Sequence, residues 1–115
     1  MGVSKYNKEG NSKRFVVDNS EFPYIKLKEL VEGRQYPVLG YFVTKDNGYG
    51  EGAVIIIADY NVNIPPRYVK TFKEWQTDPE IDHLINEGKV AFYYSRGWSE
   101  KYRVETLNIT WVDVN

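Results

Sequence analysis

The side chains with most chemistry to offer in this chain are aromatic and basic, and two short stretches bring the two kinds together. In Lys45 to Gly52, KDNGYGEG, Tyr49 stands between two glycines. In Arg96 to Lys101, RGWSEK, Trp98 stands between two basic residues. Cationic side chains neutralise phosphates and aromatic faces stack on bases, so this pairing suits a binder of single-stranded nucleic acid. The wider set of candidate stackers is Tyr41, Tyr49, Tyr60, Tyr93, Tyr94 and Trp98. The candidate phosphate partners are Lys45, Arg67, Arg96, Lys101 and Arg103. A competing reading applies to Tyr41, Tyr93 and Tyr94, which lie in strand-like runs where an aromatic is core more often than ligand. The 10 Tyr and the 16% aromatic content also suit a pleated sheet in their own right.

Catalytic chemistry finds little support in the residue types. His83 is the one histidine, set in a helical pattern beside Asp82 with no spacing that builds a triad. With no Cys there is no disulfide framework, thiolate zinc site or cysteine nucleophile. Gly48-Tyr49-Gly50-Glu51-Gly52 looks like a glycine-rich phosphate loop, but it sits in a hairpin pattern and lacks the following helix whose N-terminus would hold a phosphate. Asp78, Glu80, Asp82 and Glu87 do not follow the spacing of a calcium loop and read as a solvated helix face. The expectation is a non-enzymatic protein with no metal and no cofactor.

The elements that must position these residues are organised around Gln35 to Ile64. Tyr36, Val38, Gly40 and Phe42 alternate with Leu39, Tyr41 and Val43, a strand apolar on both sides. Ala53 to Ala58, AVIIIA, is a short β-branched run that predicts a central buried strand, and the glycine-punctuated segment between the two predicts a hairpin connection. A third, shorter extended segment runs to Ile64. Upstream, Arg14 to Val17 and Tyr24 to Leu27 predict short strands, and Leu27 to Val31 a helical turn ended by Gly33. Downstream, Tyr68, Val69, Phe72 and Trp75 share a helical face, and Asp78-Pro79-Glu80 starts a second helix with stripe Ile81, Leu84 and Ile85, stopped by Gly88. Val90 to Ser95 and Tyr102 to Val114 predict two final strands, with Arg96 to Lys101 as their loop.

At 115 residues, 42% hydrophobic and 27% charged, the chain suits one domain. Residues 5–14 hold Lys5, Lys8, Lys13 and Arg14 against Glu9 alone, so 1–13 reads as a flexible basic arm and 14–115 as the domain. The formal net charge of −1 makes any phosphate-binding role depend on the charge of one face. No apolar stretch has membrane-spanning length, so the expectation is a soluble, cytoplasmic protein with no membrane partner.

In order, these elements give strand, strand, short strand, helix, strand, strand. That is a mainly β arrangement with one helical region (α+β), matching an OB-fold-like five-stranded barrel with its helix between strands 3 and 4. An antiparallel α+β sandwich fits the same order. In the OB topology the loops after the first and fourth strands flank the ligand groove, and here those loops hold Tyr49 and Trp98. Tyr36-Pro37-Val38, Tyr49-Gly50, Val62-Asn63-Ile64-Pro65 and Ile85-Asn86-Glu87-Gly88-Lys89-Val90 resemble segments of small bacteriophage-encoded single-stranded DNA-binding proteins, across about residues 34 to 113. That resemblance implies binding of single-stranded DNA, in preference to RNA, with little sequence selectivity, in phage DNA replication or recombination. It implies the host cytoplasm as location, and a homodimer or replication and recombination proteins as partners. The chain departs from many such bacterial proteins in ending on Trp111-Val112-Asp113-Val114-Asn115 in place of an acidic tail, which leaves the nucleic-acid-binding part of the likeness. The alternative reading is a protein-binding module, such as a phage inhibitor of a host protein, using the same aromatic-rich surface.

Overall fold

The β-branched run at the centre of the chain is a strand buried on both faces. In the computed structural model, which describes residues 15–45, 48 and 50–114, every residue of β4 (Ala53–Ile57) is buried. It pairs antiparallel with β3 (Gly40–Val43) on one side and β5 (Tyr60–Ile64) on the other, the meander expected from the sequence. A short β1 (Tyr24–Lys26) adds parallel to β5, giving the sheet order β1-β5-β4-β3. A second sheet contains β2 (Tyr36–Pro37), β6 (Val90–Ser99) and β7 (Val104–Asp113), in the order β2-β6-β7. Between β5 and β6 a 3-10 turn at Pro66–Tyr68 leads into α1 (Val69–Trp75) and then α2 (Pro79–Asn86). Another 3-10 turn at Leu27–Glu29 follows β1, where the sequence predicts a helical turn. The described residues form a mainly β fold, with two sheets and two short helices.

The run expected as one strand from Gln35 to Val43 divides its pairing between the sheets. The Val38 N–H donates to the Val90 carbonyl at 2.9 Å, and the next N–H, of Leu39, donates to the Ile56 carbonyl at 2.8 Å. The chain therefore crosses from one sheet to the other within two residues. Gly40 makes the crossing tight: a Cβ there would lie 2.9 Å from the Ile56 Cδ1 and 3.0 Å from the Phe15 ring. Pro37 falls on the edge strand β2, where the missing N–H costs no ladder bond.

Ile55, Ile57, Val62 and Ile64 of one sheet meet Phe92, Tyr94 and Ile109 of the other, with Phe72 and Ile85 from the helices. Tyr41, Phe72, Trp75 and Trp111 form an aromatic cluster, with ring centroids 4.8 Å apart for Tyr41–Phe72 and 4.7 Å for Trp75–Trp111. The segment that precedes β1 is fastened to the neighbouring β5. Buried Asn61 donates to the Phe22 carbonyl at 2.9 Å and accepts from the Asn19 side chain at 2.7 Å, pinning that segment to β5. The α2 signals hold at atomic level: the Asp78 carboxylate accepts the Glu80 N–H at 3.0 Å, Pro79 opens the helix, and Gly88 follows it with φ at 75°.

Three expectations are corrected. The barrel does not close, and the described strands number seven in two sheets. Closure would require β5 and β7 to pair along their outer edges, and both edges are occupied. β5 takes β1. β7 is capped by Arg67, which donates to the Leu107 carbonyl, and by the Tyr68 hydroxyl, which accepts the Ile109 N–H at 2.8 Å. Second, Phe15 to Val17 is not a strand but an irregular segment, with Phe15 buried in the core. Third, the segment expected as a loop from Arg96 to Lys101 is strand through Ser99, and the turn falls on residues 100–103. The basic arm at 1–13, Arg14, Asp46, Asn47, Tyr49 and Asn115 lie outside the described residues.

Candidate functional site

Because β6 and β7 pair over ten positions, from Val90↔Asp113 to Ser99↔Val104, while β2 pairs with β6 only at Phe92 and Ala91, the far half of the hairpin outruns its sheet. Two contacts hold its base: the Gly33 N–H donates to the Tyr94 carbonyl at 2.9 Å, and the Arg96 N–H donates to the Glu32 carboxylate at 2.9 Å. Beyond them the exposed side chains are large. Trp98 is 58% exposed, Tyr102 67% and Val104 50%. Alternation along β6 explains the change, since Phe92, Tyr94, Arg96 and Trp98 share one face and the core beneath that face ends at Tyr94.

The tip turn adds charge. Lys101 and Arg103 are exposed on either side of Tyr102, and the Lys101 ammonium lies 5.2 Å from the centre of the Tyr102 ring. The Arg103 N–H closes the turn on the Ser99 carbonyl at 2.6 Å, with Arg103 at φ 55°, in the left-handed region. A glycine would sit there without the steric cost of a Cβ. Arg96, nearer the base, is engaged: its guanidinium lies 3.2 Å from Glu105 and 3.5 Å from Glu32. It is held above its ordinary pKa, first by a hydrogen bond to the Tyr94 side chain and then by the Glu105 and Glu32 carboxylates, and so stays charged.

The other candidates scatter. Tyr41 is completely buried, packed on Phe15, Phe72 and Trp75 with its hydroxyl 3.3 Å from Asp82. Tyr94 is buried as well, its hydroxyl donating to the Leu30 carbonyl at 2.9 Å. Neither ring has a face left for a base, and of the two readings the core one holds for both. Tyr93 is half-buried on the opposite face of β6, across from Thr110. Arg67 also donates to the Asn108 side chain at 3.0 Å, so it braces β7. Tyr60, partly exposed, opens β5, and Lys45 is exposed just after β3. Tyr49 lies outside the described residues.

The described ends of the two loops expected to flank one groove are held by different parts of the fold. Glu51, in the first loop, is tied to Lys73 of α1 at 2.6 Å, whereas the base of the projecting hairpin is tied to Glu32. Trp98, Lys101 and Arg103 are therefore the sequence candidates brought together, and Tyr102 joins them. The signal for Tyr102 lay in Lys101-Tyr102-Arg103, an aromatic between two cations, which strand periodicity had absorbed.

His83 is exposed on α2, 3.0 Å from Glu87. No helix among the described residues is long and apolar enough to cross a membrane. No family model matches the chain, and neither a curated protein nor a solved structure matches it.

Proposed function

We propose that the protein binds single-stranded DNA with little sequence preference, and that the tip of the β6–β7 hairpin carries the contact. The observation behind this reading is the exposure of Trp98 and Tyr102 beside Lys101 and Arg103 on a ribbon that the rest of the fold leaves unflanked. Aromatic rings of that size left in water on a projecting element favour association with a partner. On this reading β2–β3, β4, β5, β6 and β7 form an opened OB-fold, the hairpin is its fourth-to-fifth strand loop, and the setting is phage DNA replication or recombination.

The test is a titration of labelled poly-dT at two salt concentrations. Contacts from Lys101 and Arg103 give a slope of log affinity against log salt of about −1.4, at about −0.7 per phosphate on a single strand. Absence of binding by the folded protein at low salt overturns the reading. One observation favours a protein partner instead: the charge of Arg96 is already paired with two glutamates while Val104 extends the apolar tip. A binding module for a host protein would use the same hairpin with little dependence on salt.

A further inference from the structure

Between the two sheets, on the side from which the hairpin projects, an apolar cleft of about 410 Å³ opens among Ile25, Leu30, Tyr36, Ile57 and Tyr60. That volume lies in the range of ligand pockets, about 300–1,000 Å³. Its one charged lining residue is Glu29, whose carboxylate accepts the Lys26 N–H at 2.8 Å. A carboxylate in the wall repels phosphate, and aliphatic side chains with two tyrosine rings suit a flat neutral group. Lys26, Lys28 and Arg34 are exposed on the segment that forms one wall, where they can meet phosphates outside the cleft.

The cleft and the hairpin tip share a face. Tyr36 pairs with Phe92, and the alternation Phe92, Tyr94, Arg96, Trp98 carries that face out to the tip. Leu30 lines the cleft while its carbonyl accepts the Tyr94 hydroxyl at 2.9 Å, and Glu32, two residues on, clasps Arg96. From Phe92 to Trp98 the ribbon advances about 20 Å at roughly 3.3 Å per residue, which is about six nucleotides at the 3.4 Å spacing of stacked bases.

We infer that this cleft is a second anchor for the same strand, receiving one unstacked nucleobase between Tyr36 and Tyr60 while the chain runs on to Trp98. The inference rests on the single-stranded DNA reading above, and it makes the minimal site span two base-binding points joined by backbone. Single strands meet this demand because their bases are free to splay, whereas a duplex would have to unpair.

The experiment compares wild type, Ala58→Trp, Tyr60→Ala, Tyr60→Phe and Trp98→Ala, each with its thermal midpoint, against a labelled twelve-residue dT oligonucleotide. Ala58 is exposed at the cleft mouth, so a tryptophan there fills the cleft from the solvent side. Ala58→Trp and Tyr60→Ala should each weaken binding by about fivefold or more, Tyr60→Phe should match wild type, and midpoints should stay close to it. If the cleft variants bind like wild type while Trp98→Ala still weakens binding, the cleft inference fails and the hairpin reading stands. Failure of wild type to bind the oligonucleotide overturns both.

Discussion

Two aromatic groups in this protein share the residue types Tyr and Trp and stand in opposite circumstances. Tyr41, Phe72, Trp75 and Trp111 pack tilted and edge-on against one another, with ring centroids near 5 Å on several sides. Trp98 and Tyr102 stand in solvent at the end of a ribbon. The difference teaches that aromatic content by itself says nothing about binding. What decides is how far a strand runs past the sheet that covers it, and β6 outruns its cover after Tyr94.

That contrast can be broken by substitution, and the largest effect belongs to the core. Phe72→Ala should lower folding stability by about 3–5 kcal/mol, read by chemical denaturation, because it opens a cavity among three other rings. Its folded fraction should bind poly-dT as wild type does. Trp98→Ala should do the reverse, weakening poly-dT binding by about 1–3 kcal/mol, read by anisotropy, while denaturation midpoints move little.

Tyr94→Phe sharpens the boundary between the groups, because Tyr94 is the last covered residue on the face that ends in Trp98. Losing the hydroxyl bond to the Leu30 carbonyl should cost about 0.5–1.5 kcal/mol of stability, with affinity unchanged. The smallest effect is expected from Arg103→Gly. Relief of left-handed strain and the added freedom of the unfolded chain offset each other, so stability should hold within about 0.5 kcal/mol, while the salt slope flattens by about 0.7.

Much of the fold was legible in the sequence because its signals are local. The β-branched run of β4, the Asp78-Pro79 start of α2 and its stop at Gly88 each depend on neighbours in the chain, and each stands in the structure. Barrel closure is not legible in the sequence, because it depends on edges that meet across long sequence distances. Tyr24–Lys26 pairing with β5, and Arg67 reaching the Leu107 carbonyl, leave no mark in periodicity. Asn61 shows the same limit: a polar residue in a strand pattern gave no hint that its amide would fix the segment at Asn19 and Phe22.

At the candidate site residue types are legible in the sequence and their depth is not. Tyr41 and Tyr94 resemble Tyr60 and Tyr93 in their local patterns, and burial alone separates them. The extent of β6 is hidden in the sequence because Gly97 looks like a loop residue. In the structure it is the small position against which Thr106 and Asn108 lie, 3.0 and 3.1 Å from where a Cβ would be. The ribbon therefore continues through Gly97 and carries Trp98 out to the tip.

The three tryptophans allow one direct measurement, since each indole N–H gives its own signal in a nitrogen–proton correlation spectrum. Upon addition of dT oligonucleotide, the Trp98 signal should shift in proportion to occupancy while those of Trp75 and Trp111, half-buried against the core and in contact with each other, stay in place. A Trp98 signal that does not move at saturating oligonucleotide would contradict the assignment of binding to the hairpin.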